Sequence, residues 1–291
     1  MTNIAGSAFF GVNQGSQIGQ QINNSDPEQA RLEITKWLSP LSFSEKQRDV
    51  YAIAQPGTGQ WFLQSQICKE WHAGKHGVLW CQGIAGSGKT VLASIVMENL
   101  RQAYKQSPEV GIACVYCEYK QQGLQSPENL LASIWMQLDE AREVIAKDVE
   151  DLYAKCARRR TKATIDDVMF LLQSELQRYR VVIIIIDGLD ECPEDGGIRA
   201  TFAAKLRSLM TATSATKART QLMITSRTGN DVFDKVAEIE VRATDEDIRR
   251  VVQQRIANGL SMINEINVSL NGNEALKLEI VDAIVNKAQN M

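Results

Sequence analysis

An apolar run breaks into a glycine-rich loop at Val78-Leu79-Trp80-Cys81-Gln82-Gly83-Ile84-Ala85-Gly86-Ser87-Gly88-Lys89-Thr90. Its last eight residues, Gly83 to Thr90, fit the phosphate-binding pattern G-x-x-x-x-G-K-[ST]. The glycines let the backbone turn successive N–H groups around a phosphate, because glycine adopts positive φ without strain. Lys89 supplies a cation for the β and γ phosphates, and the Thr90 hydroxyl is a ligand for Mg²⁺. We therefore predict that residues 83–90 bind a nucleotide.

The segments on either side of this loop support that interpretation. A strand-like run precedes it at about residues 77–82, and an amphipathic helix is predicted from about Thr90 to Lys105. The N-terminus of a helix carries a positive partial charge, which favours a phosphate at the same loop. The pattern alone can occur by chance. The strand–loop–helix context makes a glycine turn without a ligand the less favoured alternative.

The second motif is an acidic stretch that follows a strongly apolar strand. Six consecutive β-branched residues, Val181 to Ile186, predict a strand that is buried on both faces. This strand ends in Asp187-Gly188-Leu189-Asp190-Glu191. An acidic residue at the carboxyl end of a central parallel strand lies beside the phosphate loop, where it can hold Mg²⁺ through water. We predict a metal site at Thr90 and Asp187, the alternative being that Asp187 is a plain turn residue.

Composition limits the other functional classes. The 291 residues suffice for one large domain or two smaller ones with a proper core, and the net charge of −3 gives no general attraction to nucleic acid. No apolar run approaches the roughly 20 residues that a membrane span needs, and the N-terminus lacks the pattern of a secretory signal. Six scattered cysteines are typical of reduced thiols in a cytosolic protein. We predict a cytoplasmic location.

Strand-like and helix-like segments alternate between residues 77 and 242. Helix starts are marked by Ser126-Pro127, with a cap followed by proline, and by the capping box Thr164-x-x-Asp167; a further helix is predicted around Gly197–Met210. The predicted strands after the first are Gly111–Tyr119, Val181–Ile186, Gln221–Thr225 and Glu238–Val241. This alternation predicts an α/β fold, with a mostly parallel sheet that has helices on both faces.

Helical segments flank this core. We predict a helical extension over residues 26–76, in which Trp61 to Trp71 has helical spacing throughout. After the sheet, Thr244-x-x-Asp247 is a second capping box. Residues 243–291 are therefore expected to begin a small helical domain. The last amphipathic segment stops without a glycine cap, so we expect this domain to be truncated.

The first 25 residues have a different composition from the rest. They are rich in Gly, Gln, Asn and Ser, and the first charged side chain is Asp26. Such a segment cannot build a core alone, but its interspersed β-formers can stack into cross-β ladders. The alternative is a disordered leader with no role.

With both nucleotide motifs placed, the sequence resembles NACHT-domain proteins of the STAND class of signalling NTPases, and most of all the fungal NOD-like receptors that often carry ankyrin repeats. The similarity covers the chain from about residue 30 to its end, and the order of the motifs makes chance improbable. The matching stretches are Trp37–Leu41, Gly57–Trp61, Gly83–Thr90, Ile186–Cys192, Thr225–Arg227, Arg242–Asp247 and Lys287–Met291.

The resemblance implies a P-loop NTPase sandwich with strand order 5-1-4-3-2, and roles for particular residues. Asp187 would serve Mg²⁺, and Asp190 and Glu191 would polarise the attacking water. Arg227 would read the γ-phosphate, the alternative being a surface arginine after a strand. Residues 57–61 would border the base pocket.

Other parts of the family pattern are only partly matched. The winged-helix module and the repeat sensor of the family are not found in this sequence. Near the start, Asn13 to Asn23 is similar to fungal amyloid signalling motifs and to the RIP homotypic interaction motif. Ser16 stands where that motif has its first apolar residue.

These observations predict a nucleotide-dependent signalling switch. It would bind ATP or GTP with Mg²⁺, hydrolyse it slowly to ADP or GDP, and self-associate through the NACHT domain. Residues 1–25 would then engage a downstream effector in innate-immunity or incompatibility-type cell-death signalling. One alternative is a metabolic P-loop kinase, which predicts fast turnover with a small acceptor. Another is a scaffold whose only activity lies in residues 1–25, which predicts no nucleotide binding.

Overall fold

A computed structural model describes residues 27–140, 142, 144–214, 218–230, 232–259 and 273–289. The predictions for the segment 1–25, including its proposed disorder, lie outside these described residues, as do the last two residues of the matching stretch at the C-terminus. Within the described part, no helix has the length and apolar content that a membrane span requires.

Five parallel strands form one sheet. They are β1 (Val78–Gln82), β2 (Val110–Tyr116), β3 (Val181–Asp187), β4 (Arg219–Ser226) and β5 (Ala237–Glu240). Their order across the sheet is β2-β3-β4-β1-β5, and every neighbouring pair is parallel. The predicted order 5-1-4-3-2 is the same order read from the other edge, so this prediction is confirmed.

Helices precede the sheet, cover it and follow it. Before the sheet lie α1 (Pro27–Leu38), α2 (Ser44–Ala52), α3 (Gln60–Gln64) and α4 (Gln66–His72). Within the sheet region lie α5 (Lys89–Ala103), α6 (Pro127–Asp139), α7 (Lys147–Arg159), α8 (Ile165–Leu176) and α9 (Ile198–Ser214). After β5 come α10 (Asp245–Gly259) and α11 (Glu274–Gln289). The α/β fold class is confirmed.

Strand β3 lies at the centre of the core. It pairs with β2 on one side and β4 on the other, and all seven of its residues are buried. Each fully buried Val or Ile side chain contributes about 1.5–3 kcal/mol relative to leaving it exposed. This burial explains the unbroken run of β-branched residues. It also fixes Asp187, the last residue of β3, at the carboxyl edge of the sheet.

Two predicted helix starts have the expected caps. The Ser126 hydroxyl accepts a hydrogen bond from the Asn129 N–H at 3.3 Å, with Pro127 in the first turn of α6. The Thr164 hydroxyl accepts from the Asp167 N–H at 3.2 Å, and the Asp167 carboxylate accepts from the Thr164 N–H at 2.9 Å. Both bonds of the capping box before α8 are therefore present.

Two predicted elements differ in the structure. The single helical run from Trp61 to Trp71 is wrong, because Ser65 is extended (φ −62°, ψ 147°) and its hydroxyl caps α4 by accepting from the Cys68 N–H at 3.2 Å. Strand β2 ends at Tyr116 rather than Tyr119. Its partner β3 ends at Asp187, so the last bond along this edge runs from the Cys117 N–H to the Asp187 carbonyl at 2.9 Å.

Candidate functional site

The glycine-rich loop joins β1 to α5 at the carboxyl edge of the sheet. The Gly83 N–H donates to the Ser226 carbonyl at 3.1 Å, which ties the loop to β4. A Cβ on Gly83 would lie 2.5 Å from the Val241 carbonyl oxygen, so only glycine fits there. Gly88, which precedes α5, has a φ of +90°, in the left-handed region that glycine adopts without strain. The predicted strand–loop–helix context is confirmed.

Lys89 lies at the start of α5 and folds back over the loop. Its Nζ donates to the carbonyls of Gly83 at 2.6 Å and Ile84 at 2.8 Å. Partial burial lowers the pKa of Lys89, while the carboxylates of Asp190 and Asp187 act in the opposite direction. The nearby Ser87 hydroxyl is buried and has no hydrogen-bond partner among the described residues. A buried hydroxyl in this state suits a loop that hydrogen-bonds a ligand.

Asp187 is buried beside the first residues of α5. The Thr225 hydroxyl donates to its carboxylate at 2.6 Å, and the Thr90 hydroxyl also bonds to it. Burial raises the pKa of Asp187, because a charged carboxylate there loses its hydration. A buried carboxylate next to a hydroxyl fits Mg²⁺, which keeps waters and takes its other ligands from substrate phosphates. In the described part, no group of three or more His, Cys, Asp or Glu side chains could hold a metal by itself.

The other predicted site residues lie together just beyond β3 and β4. The Arg227 guanidinium pairs with the Asp190 carboxylate at 2.5 Å, and its backbone N–H donates to the same group at 3.1 Å. Burial raises the pKa of Asp190, but these bonds outweigh it and hold the pKa below its usual range. The Oε1 atom of Glu191 lies 3.8 Å from the Nη2 atom of Arg227. Asp190 is therefore ionised and already paired, whereas Glu191 is the less constrained carboxylate.

These residues line a polar cavity of about 390 Å³, which we call the phosphate-side cavity. It contains Lys89, Thr90 and Asp187, as predicted from the motifs. It also contains Lys46 from α2 and Glu118 from the segment after β2, and these two form an ion pair. Sequence reasoning missed both residues, because neither belongs to a motif and 72 positions separate them.

A second cavity of about 340 Å³, the base-side cavity, lies on the other side of the loop. Thr58, Gly59 and Trp61 form part of its wall, which is where the family resemblance placed the base pocket. The remaining lining comes from α5, from the segment after β5 and from α10. The two cavities share Gly86, Gly88 and Val91 of the loop and helix α5.

Helix α10 is bonded to the wall of the base-side cavity. The Asp247 N–H donates to the Thr244 hydroxyl at 3.1 Å, which is one of the two bonds of the predicted capping box. The Asp247 carboxylate does not form the second one with the Thr244 N–H. Instead the Asp247 carboxylate accepts from the Gly59 N–H at 3.3 Å, and Arg250 donates to the Gly57 carbonyl. No sequence signal indicated these contacts, which span about 190 positions.

A comparison with models of protein families shows to which family the chain belongs. The sequence model of a family described as "Nephrocystin 3, N-terminal" matches residues 57–227, which is well over half of the chain. The chain belongs to this family. The match to the nephrocystin 3 N-terminal family runs from Gly57 to Arg227. It includes nearly all of the residues that line the phosphate-side cavity, whereas about half of the lining of the base-side cavity, from Val241 to Arg255, lies after it. A search of curated proteins finds no match.

Several solved structures are similar to this member of the nephrocystin 3 N-terminal family. The ORC2 protein of Aeropyrum pernix, in ADPNP–ADP complexes, is 14% identical with a TM-score of 0.42, over 76% of this chain and 54% of that one. A STAND protein with a tetratricopeptide repeat sensor from Pyrococcus horikoshii is 16% identical with a TM-score of 0.35, and the match covers 75% of this chain and 28% of that one. Domain III of the replication initiation protein DnaA from Thermotoga maritima is 15% identical with a TM-score of 0.39, over 82% and 89%. The chain thus spans about half of the first structure and about a quarter of the second.

Proposed function

We propose that this protein is a nucleotide-dependent signalling switch of the STAND class, with a NACHT-type nucleotide-binding domain. The observation that supports it is the pair of cavities on the two sides of one glycine loop, one polar and one largely apolar. A nucleoside triphosphate has the same two parts. Its phosphates match the cations at the polar side, and its base matches the apolar walls of the other side.

In this proposal, residues 83–90 bind the phosphates. Lys89 exchanges its two carbonyl partners for phosphate oxygens, because a charge-assisted bond to phosphate is stronger than one to a neutral carbonyl. The Ser87 hydroxyl gains a partner in the same step. Thr90 and Asp187 would hold Mg²⁺, which would supply positive charge to neutralise the phosphates. The bound nucleotide is ATP or GTP, and ADP or GDP after hydrolysis.

Hydrolysis is proposed to be slow, as suits a switch. Asp190 and Glu191 are the carboxylates proposed to polarise the attacking water, and Arg227 is proposed to read the γ-phosphate. Arg227 is held by Asp190, so the γ-phosphate must compete with that carboxylate for the guanidinium. This competition gives a physical basis for two states of the segment after β4, one with and one without the terminal phosphate.

The wider proposal follows the domain division predicted from the sequence. Residues 77–242 form the nucleotide-binding domain, with helical segments at 26–76 and 243–291. The triphosphate state self-associates through the NACHT domain and brings several copies of residues 1–25 together. High local concentration then favours a cross-β stack on a downstream effector. In this proposal the protein acts in innate-immunity or incompatibility-type cell-death signalling, as its resemblance to fungal NOD-like receptors implies.

The test is to purify the protein, release any bound nucleotide by heat and identify it by chromatography. Wild type is expected to carry ADP or GDP, or to bind added Mg-ATP or Mg-GTP, whereas Lys89→Ala binds neither. Lys105→Ala is the matched control, since Lys105 is exposed just beyond the end of α5 and is expected to behave as wild type. Equal binding by Lys89→Ala and wild type would contradict the site. Fast turnover with a small acceptor would favour the kinase alternative.

A further inference from the structure

Lys46 reaches the phosphate-side cavity from outside the nucleotide motifs. It lies in the first turn of α2, a helix of the segment that precedes the sheet. Its Nζ pairs with Glu118, which follows β2. Both side chains line the cavity that also contains Lys89, Thr90 and Asp187. An ion pair between two surface elements normally contributes little to stability, so its position in this cavity is the informative feature.

The neighbouring residue Gln47 holds α2 firmly in place. Gln47 is only 2% exposed, and its amide donates to the Ser94 carbonyl of α5 at 3.0 Å. The Tyr116 hydroxyl at the end of β2 donates to its side-chain oxygen. Helix α2 is thus bonded both to the helix after the phosphate loop and to β2, the strand that Glu118 follows. Lys46 can change its partner by a side-chain movement alone.

Glu118 is also positioned independently of Lys46. Its backbone N–H donates to Gln125 at 3.3 Å, and Gln125 is fully buried. The Gln121 amide donates to the second carboxylate oxygen at 2.8 Å. Removing Lys46 from the pair therefore leaves the carboxylate in place, with one oxygen free to accept a proton.

The charges around the cavity favour such an exchange. Each cation that lines it has an acceptor within the protein: two carbonyls for Lys89, Asp190 for Arg227 and Glu118 for Lys46. A terminal phosphate carries more negative charge than one carboxylate, so it attracts an ammonium group more strongly at the same distance. Lys46 is the cation that can move most easily, because its ammonium is carried on a flexible four-carbon stem and pairs with one carboxylate, whereas Arg227 pairs with both Asp190 and Glu191.

We propose that the terminal phosphate of a bound nucleoside triphosphate opens the Lys46–Glu118 ion pair, so that Lys46 binds that phosphate and Glu118 takes the proton of the water that Asp190 and Glu191 polarise. The water oxygen forms a bond to the γ-phosphorus, and the bond from that phosphorus to the bridging oxygen breaks, its electron pair leaving on the nucleoside diphosphate. Glu118 accepts one proton of the water, and the other hydrogen stays on inorganic phosphate. Glu118 later releases its proton to solvent. This inference rests on the proposed function and names two further residues for it.

The experiment separates the two roles by comparing binding with turnover. Affinities are measured by calorimetry for the β,γ-imido triphosphate and the diphosphate of the base that wild type prefers, and hydrolysis is followed in a single turnover. Lys46→Gln is expected to weaken imido-triphosphate binding about 10-fold, the loss of one charge-assisted bond, and diphosphate binding by less than about 2-fold. Lys46→Arg restores the affinity. Glu118→Gln is expected to bind normally but to hydrolyse about 100-fold more slowly.

Two controls lie on the same elements. Arg48→Gln removes an exposed cation from α2 whose partners among the described residues are its neighbours Glu45 and Asp49, and Glu109→Gln removes a carboxylate just before the start of β2. Both are expected to match wild type. Equal losses of diphosphate and triphosphate affinity in Lys46→Gln, or wild-type turnover in Glu118→Gln, would overturn this inference alone. Absence of nucleotide binding by wild type would overturn the proposed function and this inference with it.

Discussion

The two cavities beside the phosphate loop are built in opposite ways. The phosphate-side cavity is charged, and most of its functional side chains come from the ends of neighbouring parallel strands and from one motif. The base-side cavity is largely apolar, and its walls join the loop and α5 to a turn before the sheet and to the segment and helix after it. The first could therefore be predicted from local sequence patterns, except for Lys46 and Glu118. The second exists only because distant segments pack together.

The comparison also separates what each cavity can contribute. In the proposed function, charged groups at strand ends act on phosphates and a metal, so their contribution should depend on Mg²⁺ and on the number of phosphates. Apolar walls act on the base, so their contribution is the same for diphosphate and triphosphate. Substitutions at the phosphate-side cavity and at the base-side cavity are therefore expected to have effects that differ in kind as well as in size.

The largest effect is expected from Asp187→Asn on the phosphate side. This change removes the buried carboxylate proposed to hold Mg²⁺ but keeps an oxygen that can accept from the Thr225 hydroxyl. Hydrolysis should fall by about 10³-fold or more, because metal-assisted charge neutralisation is lost. Nucleotide affinity should no longer respond to Mg²⁺ against EDTA. A variant that keeps Mg²⁺-dependent affinity would show that the metal is held elsewhere.

A smaller effect of a different kind is expected from Ile248→Asp on the base side. The first turn of α10 already contains acidic residues, so a carboxylate there is compatible with the helix dipole. It places a charge in the apolar wall, and affinity for diphosphate and triphosphate should fall alike, by about 100-fold, with or without Mg²⁺. Gln253→Asp, on the exposed face of the same helix, is the control. A loss confined to the triphosphate would contradict the division between the cavities.

The difference in how the two cavities are built explains how much of the fold and site could be predicted from the sequence. The strand order followed from the family resemblance, and the alternation of segments gave the α/β class; both are confirmed. The cap at Ser126 and the box at Thr164 were also found, because each depends on four consecutive residues. Lys46 and Glu118 could not be found this way. Their pairing depends on how α2 packs against the end of β2, which no local pattern encodes.

At the base-side cavity too, a tertiary contact could not be predicted from a local motif, although the motif that contains Asp247 was recognised. Thr244-x-x-Asp247 predicted a reciprocal capping box, yet the Asp247 carboxylate bonds to the Gly59 N–H. An unpaired backbone N–H in a buried turn is costly, so the tertiary contact competes with the local bond. Likewise, the helix predicted through Ser65 breaks because that residue caps α4 instead. In both cases a polar side chain has two possible partners, and the sequence does not say which is chosen.

Asp247→Ala is expected to have a modest effect that the cap variant Thr244→Ala does not share. Losing the bond to Gly59 loosens the wall of the base-side cavity, and nucleotide affinity should fall by about 5- to 10-fold, which corresponds to the free energy of one typical intramolecular hydrogen bond. Thr244→Ala removes only the helix cap, so it should lower the thermal stability of the protein while leaving the affinity within about 2-fold. Titration calorimetry and thermal unfolding measure the two effects. Equal affinity losses would show that Asp247 acts only through the helix.

The smallest and most discriminating effect concerns stability without nucleotide. Burial raises the folded-state pKa of Asp187 above its ordinary value of 3.8. Its contribution to stability is therefore fully present below that ordinary pKa and is lost as the pH rises through the raised one. At pH 7 in EDTA, Asp187→Asn should thus resist denaturant at least as well as wild type, and the difference should close as the pH falls towards 4. Asp49→Asn, at an exposed position on α2, is the matched control. A variant clearly less stable than wild type at pH 7 would mean that the hydroxyls of Thr225 and Thr90 fully compensate the buried charge. The expected result would show instead that the phosphate side keeps a destabilising carboxylate for the sake of its ligand, a cost for which the apolar side has no counterpart.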